Sequence, residues 1–362
     1  MSTYQLDRLF SPQSVAVIGA SPRNTSPGRA VLENLRHAGF AGPVHLVNAH
    51  YGAIEGVLAV KTYEQLDQAP DLVVIAVPPQ AVPAVVAAAG AKGTTAGIIL
   101  TSGLGHGPDS LAEQCGKAAR ATGMRLVGPN CLGILAPSAK LNASFAASMS
   151  KCGDLALISQ SGAVAAGLVE WACLHEVGFS AVVSIGDSID VDCADLLDYF
   201  AMDRSTRAIL LYIESVRDAR KFMSAARAAA RVKPVLVLKT GRHAAGAKAA
   251  MTHTGALAGA DAVYDAAFRR AGLLRVFDLD ELFAAAETLG HLTTVSGKRL
   301  AILTNGGGIG VLAVDRLADV DGQLADIAPE TMRRLDEALP PTWSRANPVD
   351  IAGDADGARY GA

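Results

Sequence analysis

Long apolar runs are missing from this 362-residue sequence, although half of its residues are hydrophobic. A membrane-spanning helix needs about 20 consecutive apolar residues, and the longest candidates here, such as residues 71–78, are far shorter. They end at proline or glycine, as buried parallel strands do. The first ten residues carry both acid and base and lack an apolar secretion core. We therefore expect a cytoplasmic protein with no membrane partner.

Basic blocks and paired cysteines are also missing. The formal charge is −3 and no run of lysine and arginine occurs, so the sequence gives no support for a nucleic-acid partner. The five cysteines are odd in number and stand at least sixteen residues apart, without a Cys-x-x-Cys pair. This spacing disfavours a disulfide scaffold and a zinc site. Aromatic residues make up only 5%, whereas alanine and glycine are abundant, which suits helices packed closely on sheets.

The remaining pattern is an alternation of short apolar runs and alanine-rich helical stretches. In the first part of the chain the predicted strands cover residues 15–18, 44–47, 72–77, 97–100 and 125–127. After a polar, small-residue stretch at 141–151, which we interpret as a linker, the predicted strands cover 154–158, 181–185, 208–213 and 234–238. Such alternation is typical of an α/β fold with parallel, doubly wound sheets.

The length predicts more than one domain. A third unit begins near residue 299, turns at Asn305-Gly306-Gly307-Gly308 and continues into a predicted helix at 309–317. It has too few strands after that to bury a sheet alone, so we expect a partial third domain or a fragment of a longer polypeptide. The predicted domains are residues 1–145, 152–292 and 297–362.

The first strand leads into a long turn at residues 19–29 and then into a helix. Backbone N–H groups at a helix N-terminus bind phosphate, so this turn indicates a phosphate-bearing cofactor, with an ordinary tight turn as the alternative. The spacing is not Gly-x-Gly-x-x-Gly, and Asn48 and His50 stand where an NAD-binding fold places an acid. An NAD-dependent enzyme is therefore disfavoured.

Other strand ends should meet this turn at one edge of the sheet. Residues 76–79, 101–106 and 128–134 each follow a predicted strand, and ligands of open parallel sheets collect there. Cys131 lies in the last of these segments, but no basic or histidine neighbour in sequence would lower its pKa, which makes it a poor nucleophile.

An acidic run and a lone glutamate follow strands of the second domain. Asp187, Asp190, Asp192 and Asp195 resemble a metal site, but Asp190 or Asp192 as a helix N-cap explains them better, and no metal is predicted. Glu214 follows the strand at 208–213 and is either a solvated loop residue or a carboxylate that orients an imidazole.

The sharpest feature is His253, which lies in a small-residue loop with glycines on both sides and belongs to the motif at 252–259. The loop follows the predicted strand at 234–238 and precedes a predicted helix at 261–271. Imidazole can carry a phosphoryl group, and a small-residue loop lets it move. Ser161 and Gly162 open a helix after the strand at 154–158. They are either an anion site at a helix N-terminus or a plain serine N-cap, and the residues alone leave both open.

Several strings together resemble one family. They are Val-Ile-Gly-Ala-Ser at 17–21, Gly-Pro-Asn-Cys-Leu-Gly at 128–133, Ile-Ser-Gln-Ser-Gly at 158–162, Val-Ser-Ile-Gly at 183–186 and Thr-His-Thr-Gly-Ala-Leu-Ala-Gly at 252–259. In this order they are similar to the nucleoside-diphosphate-forming acyl-CoA synthetases, which include ADP-forming acetyl-CoA synthetase and the succinyl-CoA synthetase α subunit. Residues 304–308 and 347–350 resemble the family's third, ligase-type domain.

The resemblance implies a Rossmann-like CoA-binding domain followed by flavodoxin-like ligase domains. It implies that His253 becomes a transient phosphohistidine oriented by Glu214. The implied phosphate-binding residues are Ser161, Gly162, Thr254 and Gly255. The implied CoA-binding residues are Gly19, Ser21, Ser26, Gly28, Arg29, Asn48, His50, Val77, Pro78, Pro79, Ser102, Gly103, Asn130 and Cys131. His50 departs from the family pattern, because a lysine is common after the second strand.

The implied reaction interconverts acyl-CoA, phosphate and ADP with a carboxylic acid, CoA and ATP, through an acyl phosphate and phospho-His253. The nucleotide and its Mg²⁺ would bind an ATP-grasp domain that these 362 residues do not supply, so a partner subunit or a further domain is expected, together with an oligomeric state. The alternative is a regulatory CoA-sensing part of a protein lysine acetyltransferase. The retained histidine favours the synthetase.

Overall fold

The computed structural model describes residues 3–243, 245–246, 260–291 and 297–361. The chain divides into two units, residues 1–292 and 293–362. Within the described ranges no helix is both long and apolar enough to cross a membrane.

The first sheet has seven strands in the order β3-β4-β2-β1-β5-β6-β7. All neighbours are parallel except β3 and β4, which form a hairpin. The central strands β1, β5 and β6 are buried along their whole length, which explains their unbroken apolar sequences. The strands are β1 Val15–Ile18, β2 Val44–Val47, β3 Ala53–Ile54, β4 Val57–Val60, β5 Leu72–Ile75, β6 Ala96–Ile99 and β7 Arg125–Val127. The helices are α1 Asp7–Phe10, α2 Pro27–His37, α3 Val82–Lys92 and α4 Leu111–Thr122.

The second sheet also has seven strands, in the order β14-β13-β12-β10-β11-β8-β9. Strands β10 to β14 are parallel, whereas β8 and β9 are antiparallel additions at one side. The strands are β8 Gly133–Ala136, β9 Leu141–Ser144, β10 Lys151–Ser159, β11 Gly178–Ser184, β12 Ala208–Ile213, β13 Val235–Lys239 and β14 Leu274–Val276. The helices are α5 Gly162–Leu174, α6 Cys193–Met202, α7 Ala219–Ala230, α8 Asp261–Ala271 and α9 Leu279–His291. Two mostly parallel sheets with helices confirm the predicted α/β class.

The predicted linker at residues 141–151 is wrong. Leu141–Ser144 is a strand, and all four of its residues are buried. It pairs with β8, which in turn pairs with β11, and the backbone N–H of Leu132 donates to Ser184 Oγ at 3.0 Å. The chain therefore enters the second sheet directly after the last turn of the first. Asn34 of α2 ties the first sheet to this hairpin, because its Nδ2 donates to the carbonyls of Ser144 and Ala146 at 2.9 and 2.8 Å.

The second unit is small. Strand β15 (Arg299–Leu300) pairs with β17 (Gln323–Leu324), and β16 (Leu303–Thr304) pairs with β18 (Val349–Asp350), both in parallel. Its helices are α10 Gly307–Asp319, α11 Pro329–Ala338 and α12 Gly357–Gly361. Its buried cluster consists of Leu339, Trp343, Val349 and Ile351. The predicted helix after the Gly306 turn is confirmed, whereas the assignment of this unit to a third flavodoxin-like domain stays a prediction.

Candidate functional site

The turn after β1 passes very close to the end of β5. Gly19 adopts φ +91, and a Cβ built on it would lie 2.3 Å from the carbonyl oxygen of Ala76. Ser26 caps α2, and its hydroxyl accepts from the backbone N–H of Arg29 at 3.4 Å. The glycine is therefore required for packing the turn against β5, which places the N-terminus of α2 at the carboxyl end of the sheet.

A cavity of about 940 Å³, which we term the β1–β2 cavity, opens at this edge. It is bordered by the turn after β1, the segments after β2, β4 and β5, and one side of α3. Seven predicted CoA-binding residues line it: Gly19, Ser21, Ser26, Asn48, His50, Val77 and Pro78. The lining also includes Arg23, Tyr51, Lys61 and Tyr63, which sequence analysis did not single out.

Asn48 shapes the wall of this cavity. Its Nδ2 donates to the carbonyl of Ala20 at 2.6 Å, and its Oδ1 accepts from the backbone N–H groups of His50 and Tyr51 at 2.8 and 3.1 Å. The side-chain amide is thus used to join the turns after β1 and β2. Asn48 holds the cavity in shape, and any contact with a ligand is an additional role.

Three predicted residues lie elsewhere. Within the part of the chain that the structure describes, Gly28, Arg29 and Gly103 border neither this cavity nor a second one at the start of α5. A Cβ on Gly28 would lie 2.8 Å from the backbone nitrogen of Ala20, so this glycine lets α2 pack on the turn. Arg29 pairs with Glu33 at 2.7 Å and with Glu55 at 2.9 Å. Their contact with a cofactor stays a prediction.

A second cavity of about 800 Å³, the α5 cavity, lies between the ends of β5 and β6 and the start of α5. Its lining includes the predicted residues Val77, Pro79, Ser102, Asn130, Cys131, Ser161 and Gly162. Ala76 and Val77 border both cavities. One elongated ligand can therefore extend from the turn after β1 to the N-terminus of α5.

Cys131 is buried in the wall of the α5 cavity. Its Sγ donates to the carbonyl of Ile99 at 3.3 Å, and burial raises the pKa of its thiol to about 12. The group is a neutral thiol at physiological pH. This agrees with the expectation that Cys131 is not the nucleophile.

The start of α5 closes one end of the α5 cavity. Ser161 is the N-cap, since its hydroxyl accepts from the backbone N–H of Val164 at 3.3 Å. The N–H groups of Gly162 and Ala163 lie in the first turn of α5, where no intrahelical carbonyl accepts from them, and both residues line the cavity. The N-cap reading is confirmed, and it leaves a helix N-terminus with two donors at the cavity, the arrangement that favours an anion.

Gln160, which sequence analysis did not identify, holds the turn that carries Glu214. Its Oε1 accepts from the backbone N–H groups of Glu214 and Ser215 at 2.5 and 3.0 Å, and its Nε2 donates to the carbonyl of Ser215 at 2.9 Å. Gln160 also lines the α5 cavity. Glu214 is 7% exposed, which contradicts its interpretation as a solvated loop residue.

A buried cation lies at the end of the neighbouring strand. Lys239 is 1% exposed and ends β13, opposite Ile213 in the register with β12. Its Nζ donates to the carbonyl of Thr240 and lies 4.7 Å from the ring centre of Tyr264. Burial lowers the pKa of Lys239, while Asp261 and Glu214 act in the opposite direction. The carboxylate of Glu214 therefore lies in the field of a buried lysine.

The acidic run is a structural ion-pair network. Asp192 caps α6 in a capping box with Asp195, as expected for the N-cap interpretation. Arg125 contacts Asp190 at 3.0 Å and Asp195 at 3.4 Å, and Lys221 contacts Asp195 at 2.8 Å. Burial raises the pKa of Asp195 despite these cations. Among the described residues no group of three or more potential metal ligands is found.

His253, Thr254 and Gly255 lie outside the described residues. The helix predicted to follow them is confirmed as α8, Asp261–Ala271. In the sequence, the segment that carries His253 lies between β13 and α8.

Two family models match the chain. A CoA binding domain covers residues 13–137, and a succinyl-CoA ligase like flavodoxin domain covers residues 152–289. The α subunit of an ADP-forming acetate–CoA ligase from Pyrococcus furiosus is 43% identical over 98% of this chain and 78% of its own length. An ADP-forming acetate–CoA ligase from Methanocaldococcus jannaschii is 39% identical over 97% of this chain, which spans half of that protein.

A solved structure supports the same relationship. The dinucleotide-forming acetyl-coenzyme A synthetase 1 of Ca. Korarchaeum cryptofilum, in complex with phosphate and ADP, matches with a TM-score of 0.90 and 36% identity. The match covers 97% of this chain and 76% of that one. These named relatives are ligases and give no support to the acetyltransferase alternative. By sequence and by structure, the chain belongs to the family of ADP-forming acetate–CoA ligases.

Proposed function

We propose that this chain is the CoA-binding and phosphohistidine-carrying part of an ADP-forming acyl-CoA synthetase. It takes part in the interconversion of acyl-CoA, phosphate and ADP with a carboxylic acid, CoA and ATP. The observation that carries the proposal is the pair of cavities that share Ala76 and Val77, because one extended thioester fits along both. Relatives named as ADP-forming ligases support the reaction type.

The residues present fit CoA as the ligand. The N-terminus of α2 and the turn at Gly19 suit the diphosphate, and Val77, Pro78 and Pro79 border the path of the pantetheine arm. Asn130 and Ser102 line the α5 cavity, where the thioester end belongs. Bound CoA supplies the thiol that accepts or releases the acyl group.

The α5 cavity suits the chemistry of phosphate. In the proposed reaction, phosphate attacks the thioester carbonyl, and the C–S bond breaks to release CoA and an acyl phosphate. The N–H groups of Gly162 and Ala163 then stabilise the phosphoryl oxygens, as fixed dipoles aimed at developing charge do. His253 takes the phosphoryl group and releases the carboxylate, with Glu214 orienting its imidazole and Thr254 and Gly255 beside it.

The lining of the α5 cavity indicates the class of carboxylic acid that takes part in the reaction. The apolar residues of the α5 cavity include Leu132 and Phe145 as well as Ala163 and Ala166 of α5, whose small side chains leave room beside the phosphate position. This lining suits an uncharged acyl chain, and among the residues that the structure describes it includes no lysine or arginine for a second carboxylate. We therefore favour a monocarboxylic acid such as acetate over a dicarboxylic acid.

The nucleotide step requires another part of the enzyme. ADP or ATP, with Mg²⁺, would bind an ATP-grasp domain on a partner subunit or elsewhere in a longer chain. The relative from Pyrococcus furiosus is named as an α subunit, which supports a separate partner. A cytoplasmic location, an oligomeric assembly and the domain ranges 1–145, 152–292 and 297–362 complete the proposal, with β8 and β9 at the end of the first range contributed to the second sheet.

Calorimetric titration tests the cofactor assignment. We expect CoA to bind this chain with one site per chain, and NAD under the same conditions to give no binding heat. The reason is that the turn after β1 lacks the glycine spacing of NAD folds, and the segment after β2 lacks the acid that holds the ribose. Binding of NAD without binding of CoA would overturn the assignment.

Replacing Gln160 with leucine should impair both the stability and the phosphorylation of the chain. The substitution removes the acceptor of two backbone N–H groups, and each buried unpaired group costs about 1–3 kcal/mol. We expect the free energy of unfolding to fall by about 2–4 kcal/mol. Displacement of Glu214 should slow phosphohistidine formation by about tenfold or more, measured with labelled ATP and the complete enzyme.

Gln114→Leu is the matched control. Gln114 is on α4, and its Nε2 makes one exposed hydrogen bond to the carbonyl of Asp109 at 3.3 Å. This variant should be phosphorylated at the wild-type rate and lose less than about 0.5 kcal/mol of stability. If Gln160→Leu also keeps the wild-type rate, the proposed role of the Glu214 turn is wrong.

A further inference from the structure

The lining of the β1–β2 cavity contains two cationic side chains, those of Arg23 and Lys61, together with the imidazole of His50. Arg23, His50 and Lys61 line this cavity, and none of the three forms an ion pair with any residue that the structure describes. Glu64 is the one acidic residue in the described lining, and its pKa is lowered chiefly by hydrogen bonds from its own backbone N–H and from Thr62. The cations therefore remain available for a negatively charged ligand.

The sheet order brings Lys61 to this place. Strand β4 lies beside β2 in parallel, with Val47 opposite Val60, and the backbone N–H of Asn48 donates to the carbonyl of Val60 at 2.9 Å. Lys61 is the next residue after β4, so it leaves the sheet at the same edge as Asn48 and His50. Asn48 and Lys61 are thirteen residues apart in the sequence, but they follow adjacent strands of the sheet.

The end of β2 is where doubly wound folds hold the ribose of an adenine nucleotide. An acid there binds the free ribose hydroxyls, whereas a basic residue there accommodates a phosphate on the ribose. In this chain the amide of Asn48 is engaged by Ala20, His50 and Tyr51, and no acid follows β2 before Glu55. The basic residues next to it are His50 and Lys61.

We propose that Lys61, assisted by Arg23 and His50, recognises the phosphate on the adenosine ribose of CoA. The assignment rests on the proposed CoA-binding function. It places the main cation on the residue that directly follows β4, at the edge of the cavity that His50 also lines. A phosphate monoester carries close to two charges, so an unpaired ammonium group within the cavity gains a charge-assisted contact that a ribose hydroxyl cannot provide.

The test compares CoA with 3′-dephospho-CoA by calorimetry on the whole chain. We expect the wild type to bind CoA at least about tenfold more tightly than dephospho-CoA. In Lys61→Ala the affinity for CoA should fall by about tenfold, while the affinity for dephospho-CoA stays within about twofold of the wild-type value. Lys61→Arg should restore most of the preference, because it retains the charge.

Lys117→Ala is the matched control for a change in net charge. Lys117 is exposed on α4 and lies 3.9 Å from Glu113, away from the cavity lining. This variant should keep the wild-type preference. The inference is overturned if the wild type binds both ligands equally, or if Lys61→Ala weakens both by the same factor. If neither ligand binds the folded wild type, the proposed CoA-binding function is wrong as well.

Discussion

His253→Ala is expected to abolish the transfer of the terminal phosphoryl group of labelled ATP to this chain. The experiment uses the complete enzyme, including the part that binds ATP, and detects label that is lost in acid and retained in base. Removal of a covalent nucleophile leaves no other group to carry the phosphate, so labelling should fall by about a thousandfold or more. Acyl-CoA formation should fall in parallel.

His243→Ala provides the control in the same part of the chain. His243 is exposed and follows β13 by four residues, so its loss should leave both labelling and CoA binding unchanged. His253→Ala should also bind CoA as the wild type does, because the β1–β2 cavity does not involve it. Equal labelling of His253→Ala and the wild type would disprove the phosphohistidine assignment.

Gly19→Ala should have the largest effect on the cofactor site. The added Cβ would lie 2.3 Å from the carbonyl oxygen of Ala76 and 2.7 Å from its carbonyl carbon, and the backbone has φ +91. A backbone group cannot rotate away, so the turn after β1 and the end of β5 must separate. We expect a loss of about 3–5 kcal/mol in the free energy of unfolding and, in the folded fraction, at least about a hundredfold weaker CoA binding.

Gly56→Ala separates strain from steric conflict. Gly56 lies in the β3–β4 turn at φ +77, and a Cβ added there meets no atom within 4 Å. This variant should therefore lose only about 1–2 kcal/mol, the cost of a left-handed backbone for an L residue, and should bind CoA normally. Comparable losses of stability in both variants, by urea unfolding, would show that the contact with Ala76 does not matter.

Much of the architecture follows from local sequence. The central strands of both sheets contain apolar runs bounded by turns, and the register of parallel strands places their ends at one edge. For this reason Gly19, Val77, Asn130 and Ser161 could be predicted to line a site before any coordinates were known. The Asp192 cap and helix α8 could also be predicted, because capping residues and helical periodicity are local signals.

Other features depend on distant partners. Leu141–Ser144 has a small, polar appearance typical of a loop, and it is a strand only because β8 and β11 provide its neighbours. Gln160 contacts a turn more than fifty residues away along the chain, and no local sequence pattern predicts such a contact. The two ion pairs of Arg29 differ in this respect. Its pairing with Glu33 has the local i, i+4 spacing of a helix, whereas its pairing with Glu55 depends on the β3–β4 hairpin.

The hairpin of β8 and β9 also determines how this protein can be divided or recombined. The CoA-binding family model ends at residue 137, directly after β8 and before β9, yet both strands belong to the second sheet. A fragment cut at that position would keep β8 without its partners and would uncover β11 in the other half. An exchange of cofactor modules between relatives should therefore join the chains between Cys131 and Gly133, so that the hairpin stays with the ligase sheet. The contacts of Asn34 with the hairpin and the ion pairs of Arg125 with Asp190 and Asp195 then have to be matched.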